Sequence, residues 1–254
     1  MKATKLIKLL TIAGLSLGII SPAVAIDIAA KREIYNANKG SVYGVKGILK
    51  ITATIQGQVK KQEAKIWSNA TCIGDGLLVA AYASISPNVG GKNPNLEITK
   101  ELEGLKLIDA AGEEFDAKLV LHDEDLGLAY IAVDPMGGNA ASWKSQIVDI
   151  SKDAELQHLD ETINISRFAS HFRYQSAVTL GTVIAILEKP RKLYQIINAA
   201  MSAPSFNHAG EFVGITVKKA AAAKGSPSPP VTIPAKYIRK LVEQATAKQA
   251  ELKK

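Results

Sequence analysis

The sequence predicts an all-β protein: antiparallel barrels or sandwiches in two halves, closed by one C-terminal helix. Three observations predict it. Nearly every patterned segment before residue 234 is short, alternating and rich in β-branched residues. Turn signals separate these segments, and the intervening helices that a parallel sheet needs are missing. The clearest helical pattern comes last, where Tyr237, Ile238, Leu241, Val242 and Ala245 recur at i, i+3, i+4 spacing, with Pro234 in the first turn.

The elements follow in order. Residues 1–25 are expected to be an export signal: Lys2, Lys5 and Lys8 precede an apolar core from Leu6 to Ile20, and Ser21–Ala25 has the small-x-small pattern of a cleavage site. The core is too short for a membrane span and has no stop-transfer flank. Residues 26–40 are a lead-in with a short helix at 26–38. The first half, 41–135, begins with "SVYGVKGILKITATI" (41–55) and "QVKKQEAKIWS" (58–68). "TCIGDGLLVAAYASI" (71–85) turns at Gly74-Asp75-Gly76, and "LKLIDAAGEEFDAKLVLHD" (105–123) turns at Ala110-Ala111-Gly112. "LGLAYIAV" (126–133) reads as a buried strand. Residues 136–156 carry no clear pattern and are the expected linker. The second half, 157–233, holds "ETINISRF" (161–168), "YQSAVTLGTVIAIL" (174–187), "KLYQIIN" (192–198) and "EFVGITV" (211–217). A loop, 218–230, and a basic amphipathic helix, 234–254, complete the chain.

Composition narrows the function. The 254 residues are 47% hydrophobic and 22% charged, an ordinary globular balance. Removing residues 1–25 takes away three lysines and no acid, which leaves +4 of the +7 net charge. Residues 236–254 carry six Lys or Arg against Glu243 and Glu251, so the body is about neutral and has no nucleic-acid footprint. After signal removal no transmembrane segment is expected. Cys72 is the only cysteine, so no internal disulfide can form and stability must come from the core. Its apolar surroundings in sequence mark it as a small buried hydrophobe.

Four stretches, in order, resemble the trypsin-like serine proteases, specifically their bacterial HtrA-type branch. "GLLVAAYASI" (76–85) is similar to that family's strand-then-helix element, which ends in T-A-A-H. "GEEFDAKLVLHDEDLGLAYIAV" (112–133) resembles its hairpin and D-L-A-L-L strand. "INAAMSAPSFNHAGEFVGITV" (197–217) resembles its G-N-S-G-G-P segment and the strand after it, and "VTIPAKYIRKLVEQ" (231–244) its closing strand and helix. The resemblance covers residues 40–245 and implies two antiparallel six-stranded β-barrels with a cleft between them.

It also implies a catalytic His, Asp and Ser, in that chain order. The match places Ala83 where the His belongs, beside Tyr82; neither serves as a base at neutral pH. The first histidine of the chain is His122, too late for that position. Asp125 matches the family Asp when anchored on "DLGLA", and Gly127 takes the position when anchored on the next strand. With Pro204 aligned directly Met201 replaces the nucleophile; with one deletion Ser202 does. Residues 182–209 contain no glycine, and Ala199, Ala200, Ala203 and Pro204 are expected to resist the φ values of an oxyanion-hole turn. His208, a turn residue, is a weak substitute base. His122 with Asp123 and Asp125 reads as a solvated turn rather than a metal site. His158 and His171 lie in polar loop sequence with no partner that the sequence names. "EKPRKLY" (188–194) reads as a solvated basic turn that could also rim a peptide groove. No cofactor or metal is expected.

The expectation is an exported protease-fold protein with a degenerate site (Ala83, Asp125, and Ser202 or Met201), binding a peptide or protein partner in the inter-barrel cleft. Oligomerisation is left open. The alternatives are a serine endopeptidase with an atypical site and an envelope protein whose basic helix meets an anionic surface.

Overall fold

A computed structural model describes residues 28–55, 57–87, 96–219 and 228–253. The expected export signal, 1–25, lies outside the described residues, as does most of the 218–230 loop. A lead-in helix, α1 (Ile28–Asn38), is followed by β1 (Val42–Ile55), β2 (Gln58–Gly74), β3 (Leu77–Ala81), a single helical turn α2 (Tyr82–Ile85), β4 (Leu96–Ile108), β5 (Glu114–Asp123) and β6 (Leu128–Val133). After a connector come β7 (Glu161–Arg167), β8 (Ser176–Leu187), β9 (Leu193–Ile197), β10 (Pro204–Phe206), β11 (Phe212–Lys218), β12 (Pro230–Pro234) and α3 (Ala235–Glu251).

The strands close into two six-stranded antiparallel barrels, β1-β2-β3-β6-β5-β4 and β10-β11-β12-β9-β8-β7. Around the ring each barrel pairs its first strand with its second and fourth, and its third with its sixth, so the halves share one connectivity. Closure removes the free sheet edges of the barrel wall.

Burial explains the sequence pattern. In β3 every residue is buried: Leu78 and Ala80 point into the first barrel, while Leu77, Val79 and Ala81 join a second apolar layer. β6 divides the same way, with Ala129 and Ile131 inside and Leu128 and Tyr130 outside. That outer layer also takes in Ile163 and Ile165 of β7, Phe206 of β10 and Phe212 and Ile215 of β11, so it is the packing between the barrels. Strands buried on both faces read as continuous apolar runs. Helix α3 lays Ile238 and Ala245 onto this layer, and the Tyr130 hydroxyl donates to the Ile238 carbonyl at 2.8 Å. Pro234 ends β12 and caps α3 rather than lying in its first turn.

Three segments depart from the sequence reading. β4 begins at Leu96, well before 105, because Leu96–Glu103 pairs with β1 in an arm that extends past the barrel. β10 is a strand where only a loop and turn are expected; its three residues are held between β7 and β11. The connector is anchored rather than loose. Trp143 stacks on Tyr43 at 4.6 Å and meets Phe115 edge-on, and the Val148 amide donates to the Cys72 carbonyl at 2.9 Å.

Three acidic protons are locked inside these cores. Burial raises the Cys72 thiol from 9.0 to about 12. Burial likewise raises the Tyr43 and Tyr130 phenols above 10.0. The unfolded chain ionises these groups first, so their contribution is complete below pH 9.0 and is lost as pH rises through the folded values. The urea midpoint is therefore expected to stay flat from about pH 7 to 8.5 and to fall steadily above about pH 9.5, measured by far-UV circular dichroism.

Candidate functional site

The positions singled out by the sequence lie along the seam between the barrels. Strand β3 ends at Ala81, and α2 begins where the Tyr82 amide donates to the Gly127 carbonyl at 2.8 Å. Ala83 is half-buried in that single turn. The Tyr82 ring stacks on His122 at 4.5 Å, nearly parallel. Gly127 turns with φ +72°, a conformation that glycine takes without strain.

Asp125 does not face this corner. Its side chain is 68% exposed and pairs with Lys219 at 3.8 Å and with Arg191. Arg191 lies in the 188–194 turn, so that turn is not merely solvated: it forms an ion pair across the two barrels. Asp123 makes the tight turn, its carboxylate accepting from the Leu126 amide at 2.7 Å and its carbonyl from the Gly127 amide at 2.8 Å. This is the solvated turn the sequence suggests, with His122 exposed at its edge.

Ser202 is completely buried, and its hydroxyl is fully engaged. It accepts from the Ala81 amide at 2.9 Å and lies 2.9 Å from the Ser68 hydroxyl. Its own amide donates to the Thr216 carbonyl at 2.8 Å. Ser202 thus ties barrel two, through β11, to β2 and β3 of barrel one. Its backbone is left-handed at φ +62°, as is Asn198 at +60°, so the loop turns at these two residues without any glycine. Met201, beside it, is half-buried against the apolar layer. All four histidines, His122, His158, His171 and His208, are exposed, and neither hydroxyl partner of Ser202 is an imidazole. His171 rests on Phe172 at 4.5 Å. Among the described residues no three His, Cys, Asp or Glu groups come together to hold a metal ion.

The sequence reading missed the charge at the centre of the seam. Arg167, at the end of β7, is 3% exposed and has no carboxylate within ion-pair distance among the described residues. Its Nε donates to the Val42 carbonyl at 2.8 Å, Nη1 to Tyr174 at 2.8 Å and Nη2 to Lys39 at 3.1 Å. Its amide donates to the Asn69 side chain at 2.7 Å, next to Ser68. Burial lowers its pKa, with Asp109 opposing at longer range. A signal was present: Ile163, Ile165 and Arg167 alternate on one face of β7, so the arginine occupies an inward position. Inside barrel two a further polar set was invisible in sequence. The Asn164 side-chain oxygen accepts from the Ser205 hydroxyl at 2.6 Å and the Thr162 hydroxyl at 3.3 Å, and Thr216 meets Thr232 at 3.1 Å.

Two closed six-stranded barrels and a C-terminal helix are consistent with a trypsin-like fold. No protein-family model matches the chain, and no curated protein matches it.

The Ser202 geometry makes a stability order testable. Ser202→Ala removes the acceptor of a buried amide and keeps the left-handed backbone, an expected loss of about 1–3 kcal/mol. Ser202→Gly also removes the hydroxyl but relieves a left-handed cost of about 1–2 kcal/mol. Urea denaturation should therefore rank wild type above Ala, and Gly above Ala.

Proposed function

We propose that the chain is an exported trypsin-like protein that has lost protease chemistry and binds an extended peptide or protein segment. One observation carries the first part: the Ser202 hydroxyl is buried and spent on Ala81 and Ser68. A serine nucleophile has to reach both substrate and base. In this reading Ala83 stands at the lost base, Asp125 is retained only as a surface ion pair, and the nucleophile position falls either to the buried Ser202 or to Met201, which has no hydroxyl.

Support for binding comes from sheet edges that barrel closure leaves over. Among the described residues, Gln58–Trp67 of β2 and Leu96–Glu103 of β4 pair only with β1. Such edges accept an added strand. Beside the β2 edge runs a groove of about 470 Å³ containing Lys65, Ile66 and Trp67, with Tyr174 of barrel two stacked on Trp67 at 5.8 Å. No helix among the described residues is long and apolar enough to cross a membrane.

Three experiments test these statements. A fluorophosphonate probe should leave the protein unlabelled; labelling that disappears in Ser202→Ala would establish a hydrolase instead, and no binding anywhere on a broad peptide array would remove the binding role. For export, N-terminal sequencing of the protein recovered from a secreting bacterial host should begin at Ile26, and a retained Met1 would overturn that part.

A further inference from the structure

A second pocket, of about 290 Å³, opens where the lead-in, the connector and both barrels meet. The lead-in supplies Asn36 and Lys39, the connector Gln146, and barrel two Arg167, Gln175 and Ser176. No acidic residue lines it. Arg167 reaches it from inside the seam, and a guanidinium carries five N–H donors. Three are matched to carbonyls, which bring no charge. The carboxylate whose field Arg167 feels, Asp109, has Oδ1 committed to the Ala111 amide at 2.8 Å and the Glu113 amide at 2.9 Å. The second cation, Lys39, among the described residues bonds the neutral Asn36 side chain at 2.9 Å and no carboxylate, and stands 5.4 Å from the Tyr35 ring. Buried charge is ordinarily matched by opposite charge. Here a cavity lies where the counter-charge would be.

We propose that this pocket binds a carboxylate group, either the C-terminal carboxylate of an extended peptide or a small organic acid. The planar guanidinium fork matches a carboxylate in geometry, and charge-assisted bonds of this kind are the strong ones. The volume holds one terminal residue or a small acid and excludes a folded partner. Because lead-in, connector and both barrels wall the pocket, an occupant bridges all of them and raises the melting temperature by mass action. The site rests on no part of the degenerate-triad reading, so labelling of Ser202 by fluorophosphonate would leave it standing.

The test is titration of the mature protein with tri-alanine, tri-alanine C-terminal amide and succinate, read by calorimetry and by amide resonances of residues 167–176. The free acid is expected to bind at least about tenfold more tightly than the amide. Tighter binding of tri-alanine than succinate identifies a peptide terminus, and the reverse identifies a small acid; both uphold the pocket. In β7–β8, Ser176 lies directly opposite Arg167, and cross-strand partners share a face. Ser176→Asp therefore supplies an internal carboxylate: it should fold, melt no lower than wild type and lose the response to acid. Lys39→Gln, at the exposed rim, should weaken acid binding several-fold and provides the same check if the Asp variant fails to fold. Equal responses to acid and amide, no response to either acid, or wild-type affinity in both variants would overturn the proposal.

Discussion

The arrangement of the two barrels depends on how the buried Arg167 is held. Taking a guanidinium out of water costs several kcal/mol even after relaxation. Carbonyls from the lead-in (Lys39), barrel one (Val42) and barrel two (Tyr174) replace part of that hydration. Each comes from a different part of the chain, so all three reach the same cation only when those parts are correctly placed. The apolar layer between the barrels supplies most of the association energy, but apolar burial is non-directional. Direction comes from Arg167 and from the neighbouring Ser202–Ser68–Ala81 contacts.

The same seam holds the residues that the sequence singles out. A protease of this architecture needs an exposed hydroxyl, an imidazole beside it and a buried carboxylate behind. Here the forces separate those roles. Ser202 is drawn inward because the Ala81 amide needs an acceptor, and Asp125 is drawn outward by Arg191 and Lys219. Tyr82 and His122 stack on each other and leave no imidazole at the hydroxyl. Each group is satisfied by a structural partner.

Much of the fold was legible because it rests on local rules. β3 and β6 appear as continuous apolar runs because both of their faces are buried. The stripe Tyr237-Ile238-Leu241-Val242-Ala245 predicts which side of α3 docks, and it is the side that packs. The hairpin signals at Gly74–Gly76 and Ala110–Gly112 fall between strands as expected. The misses are places where a distant partner overrides local preference. Leu96–Glu103 is too charged to read as a strand, yet β1 supplies its ladder. β10 is too short to signal itself and exists because β7 and β11 flank it.

The sequence by itself determined that no histidine precedes residue 122, that one cysteine precludes an internal disulfide, and that alternating strands end in one amphipathic helix. These follow from residue identity and short-range periodicity, which need no three-dimensional information. Only the tertiary structure decided that Ser202 faces Ala81 and Ser68, that Asp125 faces Arg191, and that Arg167 is buried in the seam. Each of the three has a partner more than 60 residues away in sequence: Ser202 at Ala81 and Ser68, Asp125 at Arg191, and Arg167 at Val42, beside its local contact to Tyr174. Side chains so distant meet only through barrel closure and packing, for which no local pattern exists.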